Sequence, residues 1–373
     1  SFQRLMRPPK DVSSVAQWYM DGGGLGRRLR LLAKIAGILS KLHSKGLIYV
    51  DLSPANVFVS EDPDHNEIRL IDTDNLRTST SAGRTFYTPG YGAPELVLAK
   101  ASPSSLSDAY AFAVLCFETL SLQHPFKGDH VVYGEPELEE RAFAGKEPWI
   151  DHSENDLNRS SDGIPRELLL TRMLEQDFRQ TFEEGLTAID KRPGMAQWSE
   201  HLHEAADRVI SCASCGSGFY FNRPSCPWCG EAVPPFAIAA IHLWDPEQRK
   251  LEKNGELVER PGIVLKDNKK PRLLGLQAIA DGNTEVLTRR LTHGIAGNDE
   301  QVLRLTPQGD TIAVTALVDG LSMQGVQQPR KRWRANQTIR LATQQEGAIT
   351  IHMDTKDKLH RVVLLDLTRM GGK

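Results

Sequence analysis

Little in this chain of 373 residues is extreme, and each shortfall removes a class of protein. The longest apolar stretch, around Ala109 to Cys116, is far below the roughly 20 residues that a membrane-crossing helix needs. Neither sign of charge is in excess. A formal net charge of −3 gives no whole-molecule pull toward nucleic acid or an anionic membrane, so neither is expected as a partner. The first residues, Ser-Phe-Gln-Arg-Leu-Met-Arg, lack the apolar core of a signal peptide, and a cytoplasmic protein is the expectation. An initiator Met is also missing, so Ser1 is expected to be an internal residue of a longer natural protein. Cysteine is scarce at five residues, and no repeat or low-complexity tract is evident.

What is present is ordinary for a soluble globular protein, with 40% hydrophobic and 25% charged residues. The length exceeds the usual single domain, so two or three are expected. Residues 25–45 place Leu25, Leu29, Leu32, Ile35, Ala36, Leu39 and Leu42 at helical spacing, with Arg27, Arg28, Arg30 and Lys34 between them, as in an amphipathic helix. The preceding Asp21-Gly22-Gly23-Gly24 reads as a flexible turn rather than a phosphate cradle, because no strand pattern leads into it. Short β-type runs, Leu47–Val50, Val57–Val59 and Ile68–Ile71, bound a polar loop. Asp108–Leu120 reads as a helix buried nearly all round, residues 124–163 as loop and short helix, and Pro165–Leu174 and Gly194–Ile210 as helices. Past Pro234-Pro235 the pattern turns to strands: 238–243, 262–265, 273–279, 286–291, 302–305, 311–318, 338–341, 348–353 and 362–367.

Three stretches near the middle of the first half carry chemistry. They are Tyr49-Val50-Asp51-Leu52-Ser53-Pro54-Ala55-Asn56, then Asp72-Thr73-Asp74, then Thr88-Pro89-Gly90-Tyr91-Gly92-Ala93-Pro94-Glu95. An Asp, an Asn five residues on and a later Asp can orient an attacking hydroxyl and hold Mg²⁺ against phosphates, which is most of what phosphoryl transfer asks of a protein. Together they resemble the catalytic loop, metal-binding Asp and activation-segment end of a eukaryotic-like (bacterial-type) Ser/Thr protein kinase. The resemblance runs over residues 1–208. It implies that Asp51 is the catalytic Asp, that Asn56 and Asp72 are Mg²⁺ ligands beside ATP, and that Thr88 hydrogen-bonds Asp51. It also implies that Asp108 braces the loop, that Glu95 pairs with Arg192, and that Phe2–Met6 is the hinge, with Met6 near the adenine edge.

The departures are as informative. Val50 and Tyr49 stand where the family has Arg and His, so a phosphate on Ser79, Thr80, Ser81 or Thr85 lacks its usual partner. Ser53 replaces a Lys beside the transferring phosphate, and Thr73-Asp74 replaces Phe-Gly. The family's N-terminal lobe, with its Gly-rich loop and Lys, has no counterpart upstream. The expectation is therefore a truncated kinase, nearly inactive as these 373 residues, that in full length phosphorylates protein Ser or Thr. A pseudokinase scaffold is the alternative. A small-molecule phosphotransferase also uses an Asp-x4-Asn loop, but Ala93-Pro94-Glu95, Thr88 and Arg192 speak against it.

Cys212-x2-Cys215 and Cys226-x2-Cys229 stand ten residues apart, and two such turns can surround one Zn²⁺ with four thiolates. A closed four-sulfur site is structural, and Gly216 and Gly230 follow the second Cys of each pair. Phe219, Tyr220, Phe221, Arg223 and Trp228 are read as packing around it, while Cys116 is a buried small hydrophobe. In the strand-rich part, Arg330-Lys331-Arg332-Trp333-Arg334 is the densest basic run and reads as a solvated strand end. His293 and His352 are read as structural. The forkhead-associated signature, a Gly-Arg and a Ser-x-x-His, is lacking, although a phosphoprotein or regulatory partner is still considered for this domain. The expected fold class is multidomain α+β. It comprises a kinase-like hinge and helical C-terminal lobe over 1–208 with the N-terminal lobe absent, a zinc ribbon over 209–233, and an all-β sandwich or barrel over 236–373.

Overall fold

The computed structural model describes residues 1–78, 86–251, 257–259, 262–266, 270–325, 330–342, 349–353 and 358–370. Contacts divide the chain into two compact units. One comprises Ser1–Ala206, Cys215–Phe219 and Pro227–Cys229; the other comprises Asp207–Ser214, Tyr220–Cys226 and Gly230–Lys373. Among the described residues no helix is long and apolar enough to cross a membrane. Ser79, Thr80, Ser81 and Thr85 lie outside the described residues.

The first unit is mainly helical: α1 (Val15–Asp21), α2 (Gly24–His43), α3 (Pro94–Val97), α4 (Ser105–Ser121), α5 (Asp129–Val132), α6 (Glu137–Phe143), α7 (Arg166–Leu169), α8 (Arg172–Arg179), α9 (Gly185–Thr187) and α10 (Met195–Ala206). Its described strands form two antiparallel pairs, β1 (Leu47–Ile48) with β4 (Arg77–Thr78) and β2 (Val57–Val59) with β3 (Ile68–Leu70). Helix α4 starts with a reciprocal cap: Ser104 Oγ accepts from Ser107 N, and Ser104 N donates to Ser107 Oγ. Every residue from Ser107 to Ser121 is buried. Around it the aromatic rings pack edge to face, Phe112 on Trp198 and Phe117 on Trp149 and Phe178.

Two readings of α2 need correction. Arg27 and Arg28, placed between the apolar positions of an amphipathic helix, are both buried. Arg28 donates to the carbonyls of Leu5 (3.1 Å), Tyr19 (2.8 Å) and Gly24 (3.2 Å), with its guanidinium 3.7 Å from the Tyr19 ring centre. Burial lowers its pKa to about 10, so it keeps its charge at neutral pH. Arg27 donates to the carbonyls of Ser60 (2.8 Å), Asp62 (3.0 Å) and His65 (3.3 Å), tying down the β2–β3 connection. Both offset the cost of burial with backbone acceptors. Farther on, α10 ends at Ala206, and Val209–Ser211 is a strand rather than the helix's last turn. The segment after Leu174 stays helical to Arg179 and widens into a π-turn at Gln180–Glu184.

The second unit holds a seven-stranded and a four-stranded sheet. The first runs Gly262–Ile263, Phe236–Asp245, His360–Asp366, Thr350–His352, Leu321–Gln324, Lys331–Trp333, with Leu273–Ala280 also paired to Phe236–Asp245. The second runs Glu285–Thr288, Gln301–Gln308, Thr311–Ala316, Thr338–Ala342. One buried cluster draws on both, including Ile241, Val363 and Ile351 from the first and Leu305, Ile312 and Val314 from the second. The expected strand 286–291 breaks: the strand is Glu285–Thr288, and Arg289–His293 is a short helix closed by Gly294 at φ 74. His293 is thus helical, not in a strand.

His352 is buried in its strand, 2.9 Å from His360 Nε2 through its Nδ1 and edge-on to Trp244. Burial, with Arg330 and His360 adding to it, pushes its pKa down to about 3. The folded unit therefore keeps His352 neutral, whereas an unfolded His takes a proton below about 6.5. Stability should fall as pH drops from about 6.5 toward about 3, with a slope approaching about 1.4 kcal/mol per pH unit for this one proton. Denaturant titrations between pH 7 and pH 5 check this, and His352→Gln should flatten the slope.

Candidate active site and cysteine cluster

The loop carrying Asp51 is fastened from below by one buried carboxylate. Asp108, in the first turn of α4, accepts from Tyr49 N (2.7 Å, Oδ2), Val50 N (2.9 Å, Oδ1) and His43 Nε2 (2.9 Å, Oδ2). Because those two amides turn toward Asp108, strand β1 stops at Ile48 instead of reaching Val50. Val50 sits at φ 77, an outlier for a β-branched residue, and delivers Asp51 to the loop tip.

Asp51 Oδ1 accepts from Thr88 N (2.9 Å) and Thr88 Oγ1 (2.8 Å). Asn56 Nδ2 donates to the Asp51 carbonyl (2.9 Å), which fixes the loop across its own width. The Asn56 carbonyl accepts from Ile71 N (3.0 Å), and the Tyr49 hydroxyl donates to the Ile71 carbonyl. Ile71 precedes Asp72, an exposed residue in the left-handed region at φ 58. Asp51, Asn56 and the Asp72 backbone are thus joined by a short hydrogen-bonded relay. Burial, then Asp72, Asp51 and Asp108, raise the Tyr49 pKa to about 12, so its hydroxyl stays a donor. Tyr49 was noted from sequence only as a replacement. Its clasp on the Asp72 segment, and the His43 contact, had no signal in the residue pattern.

The other expected site residues are placed as follows. Ser53 is buried, and its Oγ has no hydrogen-bond partner among the described residues. Met6 is buried after the 3-10 turn Phe2–Leu5, and that turn packs against the turn Pro54–Asn56. Glu95, at the start of α3, receives a two-pronged pair from Arg192 at 2.7 and 2.8 Å. Arg192 also donates to Gly185 O (2.8 Å) and Leu106 O (3.2 Å), and its side chain is fully buried. Between these, the Tyr91 hydroxyl meets buried Glu118, and His124 Nε2 donates to Gly90 O (3.0 Å) where Gly90 stands at φ 87. Neither Glu118 nor His124 was singled out from sequence.

Residues 27–187 match the family described as the protein kinase domain. Over this region the chain is similar to protein kinase domains. Similar proteins include the serine/threonine-protein kinase pkn2 of Myxococcus xanthus, 31% identical over 202 residues covering 52% of this chain and 21% of the relative. The serine/threonine-protein kinase PknG of Mycobacterium leprae is 38% identical over 93 residues, 25% of this chain and 11% of the relative. The human ribosomal protein S6 kinase alpha-3 is 37% identical over 101 residues, 26% of this chain and 13% of the relative. The chain spans 11% to 21% of the length of these relatives. Since the matched span runs from α2 through α9, nothing in it supports the expectation that the chain holds the helical lobe alone.

Cys212, Cys215, Cys226 and Cys229 form one cluster, with all four sulfurs within 4.8 Å of one another. A tetrahedron with Zn–S bonds of about 2.3 Å has sulfur–sulfur edges of roughly 3.8 Å, so the donor set and its spacing fit zinc with little adjustment. Gly216 at φ 73 and Gly230 at φ 79 take the left-handed turn after each pair. Cys226 N donates to Glu231 O (2.8 Å) and Gly230 N to Cys226 O (2.9 Å), shaping the second knuckle. Phe219 and Tyr220 are buried, and Trp228 stacks on Tyr19 at 6.0 Å.

The relay predicts a graded effect. Tyr49→Phe removes only the hydroxyl that holds Ile71 O, so the Mg²⁺ concentration for half-maximal activity should rise, with unchanged thermal stability to within about 1 kcal/mol. A Mg²⁺ titration of initial rates checks it.

Proposed function

We propose that the kinase domain transfers the γ-phosphoryl group of ATP to a Ser or Thr hydroxyl of a protein, with Asp51 as the catalytic carboxylate. The observation that carries this reading is the pairing of Asp51 Oδ1 with both Thr88 N and Thr88 Oγ1, while Oδ2, met only by a long 3.4 Å contact from Asn56 Nδ2, can still take up an incoming hydroxyl. Asn56 and Asp72 supply the oxygen ligands for Mg²⁺, which when bound neutralises charge on the phosphates. The Glu95–Arg192 pair anchors the end of the segment that begins at Thr88, and so holds the platform on which a polypeptide lies. Asp108 fixes the loop backbone, so the carboxylate geometry is set before substrate arrives.

The four cysteines hold a structural Zn²⁺ over residues 209–233, and residues 236–373 serve as a docking or regulatory appendage. Lys331, Arg332 and Arg334 are exposed there while Trp333 is buried, as a solvated strand end requires. A phosphoprotein partner for that appendage remains the notion that a binding screen would test.

A second reading, a scaffold that binds without transfer, draws on Ser53. Its buried hydroxyl brings no positive charge to the phosphate side of Asp51. Asp51→Asn in the full natural protein separates the two. Transfer from labelled ATP should fall by about 10²–10⁴-fold with nucleotide affinity kept; the absence of transfer in the parent protein would favour the scaffold. For the cysteine cluster, metal analysis should find one zinc per chain. Cys226→Ser, or chelation, should expose the remaining thiols to alkylation and lower the melting temperature.

A further inference from the structure

Three large apolar side chains of the first unit stand out in water more than any others described there. They are Tyr133 at 76% exposure, Leu157 at 56% and Val132 at 55%. All three belong to one place. Val132 is the last residue of α5 and Tyr133 its cap. Leu157 precedes Asn158, whose Oδ1 accepts from Val131 N (3.3 Å), and Asp129 N donates to Arg159 O (3.0 Å).

The patch sits on a stiff base. Asn158 is fully buried and donates to Phe126 O (3.1 Å) and Pro148 O (2.8 Å), while Val131 is buried beneath it. Gly134 is required at the bend, because a Cβ there would collide with Leu138 and with His130 O. A surface already ordered in this way loses little entropy on binding. Exposed apolar groups gathered on a rigid support, with a polar rim, are the usual mark of an interaction site.

The rim tells what kind of partner fits. From Asp129 to Glu140 the chain carries Asp129, Glu135, Glu137, Glu139 and Glu140 but no Lys or Arg. Glu139 is paired with Lys127 at 2.8 Å, whereas Glu135, Glu137 and Glu140 are exposed and have no ion pair among the described residues. A whole-molecule charge of −3 makes this local concentration a feature of the patch rather than of the protein. A second apolar surface alone would leave those carboxylates unmatched, and an anionic membrane would be repelled by them.

We propose that the Val132–Tyr133–Leu157 surface docks a segment of a protein partner in which an apolar or aromatic residue is flanked by Lys or Arg. The apolar anchor covers Tyr133 and Val132, and the basic flanks lie along Glu135, Glu137 and Glu140. The surface goes beyond the catalytic reading and is tested by binding alone, without ATP.

The probe is a fluorescein-labelled peptide in which phenylalanine and leucine alternate with arginine, titrated with the whole chain and read by anisotropy. Controls replace its arginines by glutamate or its apolar residues by serine. The arginine peptide should bind, more weakly as salt rises. Both Tyr133→Ser and the double change Glu135→Lys with Glu137→Lys should weaken it by about tenfold or more. These side chains are exposed, so melting temperatures should stay at the parent value; Leu157→Ser replaces any variant that melts early. Absence of binding, equal binding of the glutamate peptide, or indifference to charge reversal would overturn the proposal. So would self-association of the chain that Tyr133→Ser abolishes, since the occupant would then be a second copy.

Discussion

Everything proposed for the kinase domain hangs on the Asp108 carboxylate. It sits at the amino end of a helix buried on all sides, where the helix dipole favours a negative charge, and it takes two consecutive amide protons from Tyr49 and Val50. A loop that turns away from strand β1 would otherwise bury those amides without acceptors, at a cost of about 1–3 kcal/mol each. With them satisfied, Val50 can be held at φ 77, and the direction of Asp51 follows from that backbone. The helix core, by fixing Asp108, therefore sets the position of a residue at the loop tip.

The second anchor uses a different balance. Arg192 is fully buried, and a lone buried charge would be expensive, but four hydrogen bonds tie it to Glu95, Gly185 O and Leu106 O. Gly185 is needed in that packing, since a Cβ there would stand 2.7 Å from Arg192 Cγ. The two anchors hold opposite ends of the region between Asp51 and Glu95. Thr88, which contacts Asp51 through both backbone and side chain, links them.

How much of this could be seen in the residues alone differs by type of interaction. The Thr88–Asp51 and Glu95–Arg192 contacts and the brace from Asp108 were legible because a resemblance pairs spaced motifs, and the cysteine cluster because two CxxC turns can bring four thiols together. Side-chain-to-backbone contacts were not legible. Arg27 and Arg28 look like the polar stripe of an amphipathic helix, and only the folded chain brings the Ser60, Asp62 and Leu5 carbonyls within reach. Tyr49 reads as an apolar residue in a strand, while its hydroxyl meets a carbonyl twenty-two positions away. The break at Thr288 was hidden for a simpler reason: Val286, Leu287 and Leu291 suit a strand and a short helix equally, and Gly294 alone hints at the stop.

The departures around Asp51 also shift how the site must manage charge. Where the family places Arg and Lys, this chain has Val50 and Ser53, so those positions bring no positive charge toward the loop. Asp51, Asp72 and Asp108 all act on the Tyr49 hydroxyl to raise its pKa, which means their fields overlap there. Asp108 is covered by two amides and His43, and Asp51 is half covered by Thr88. Asp72 stays exposed, and its left-handed backbone is a strain that the Tyr49 clasp on Ile71 helps to hold. A carboxylate kept exposed in a strained conformation, among others of its sign, gains most from a divalent cation. That is the physical reason to expect the proposed Mg²⁺ site to depend on its cation more heavily than one with a lysine at position 53.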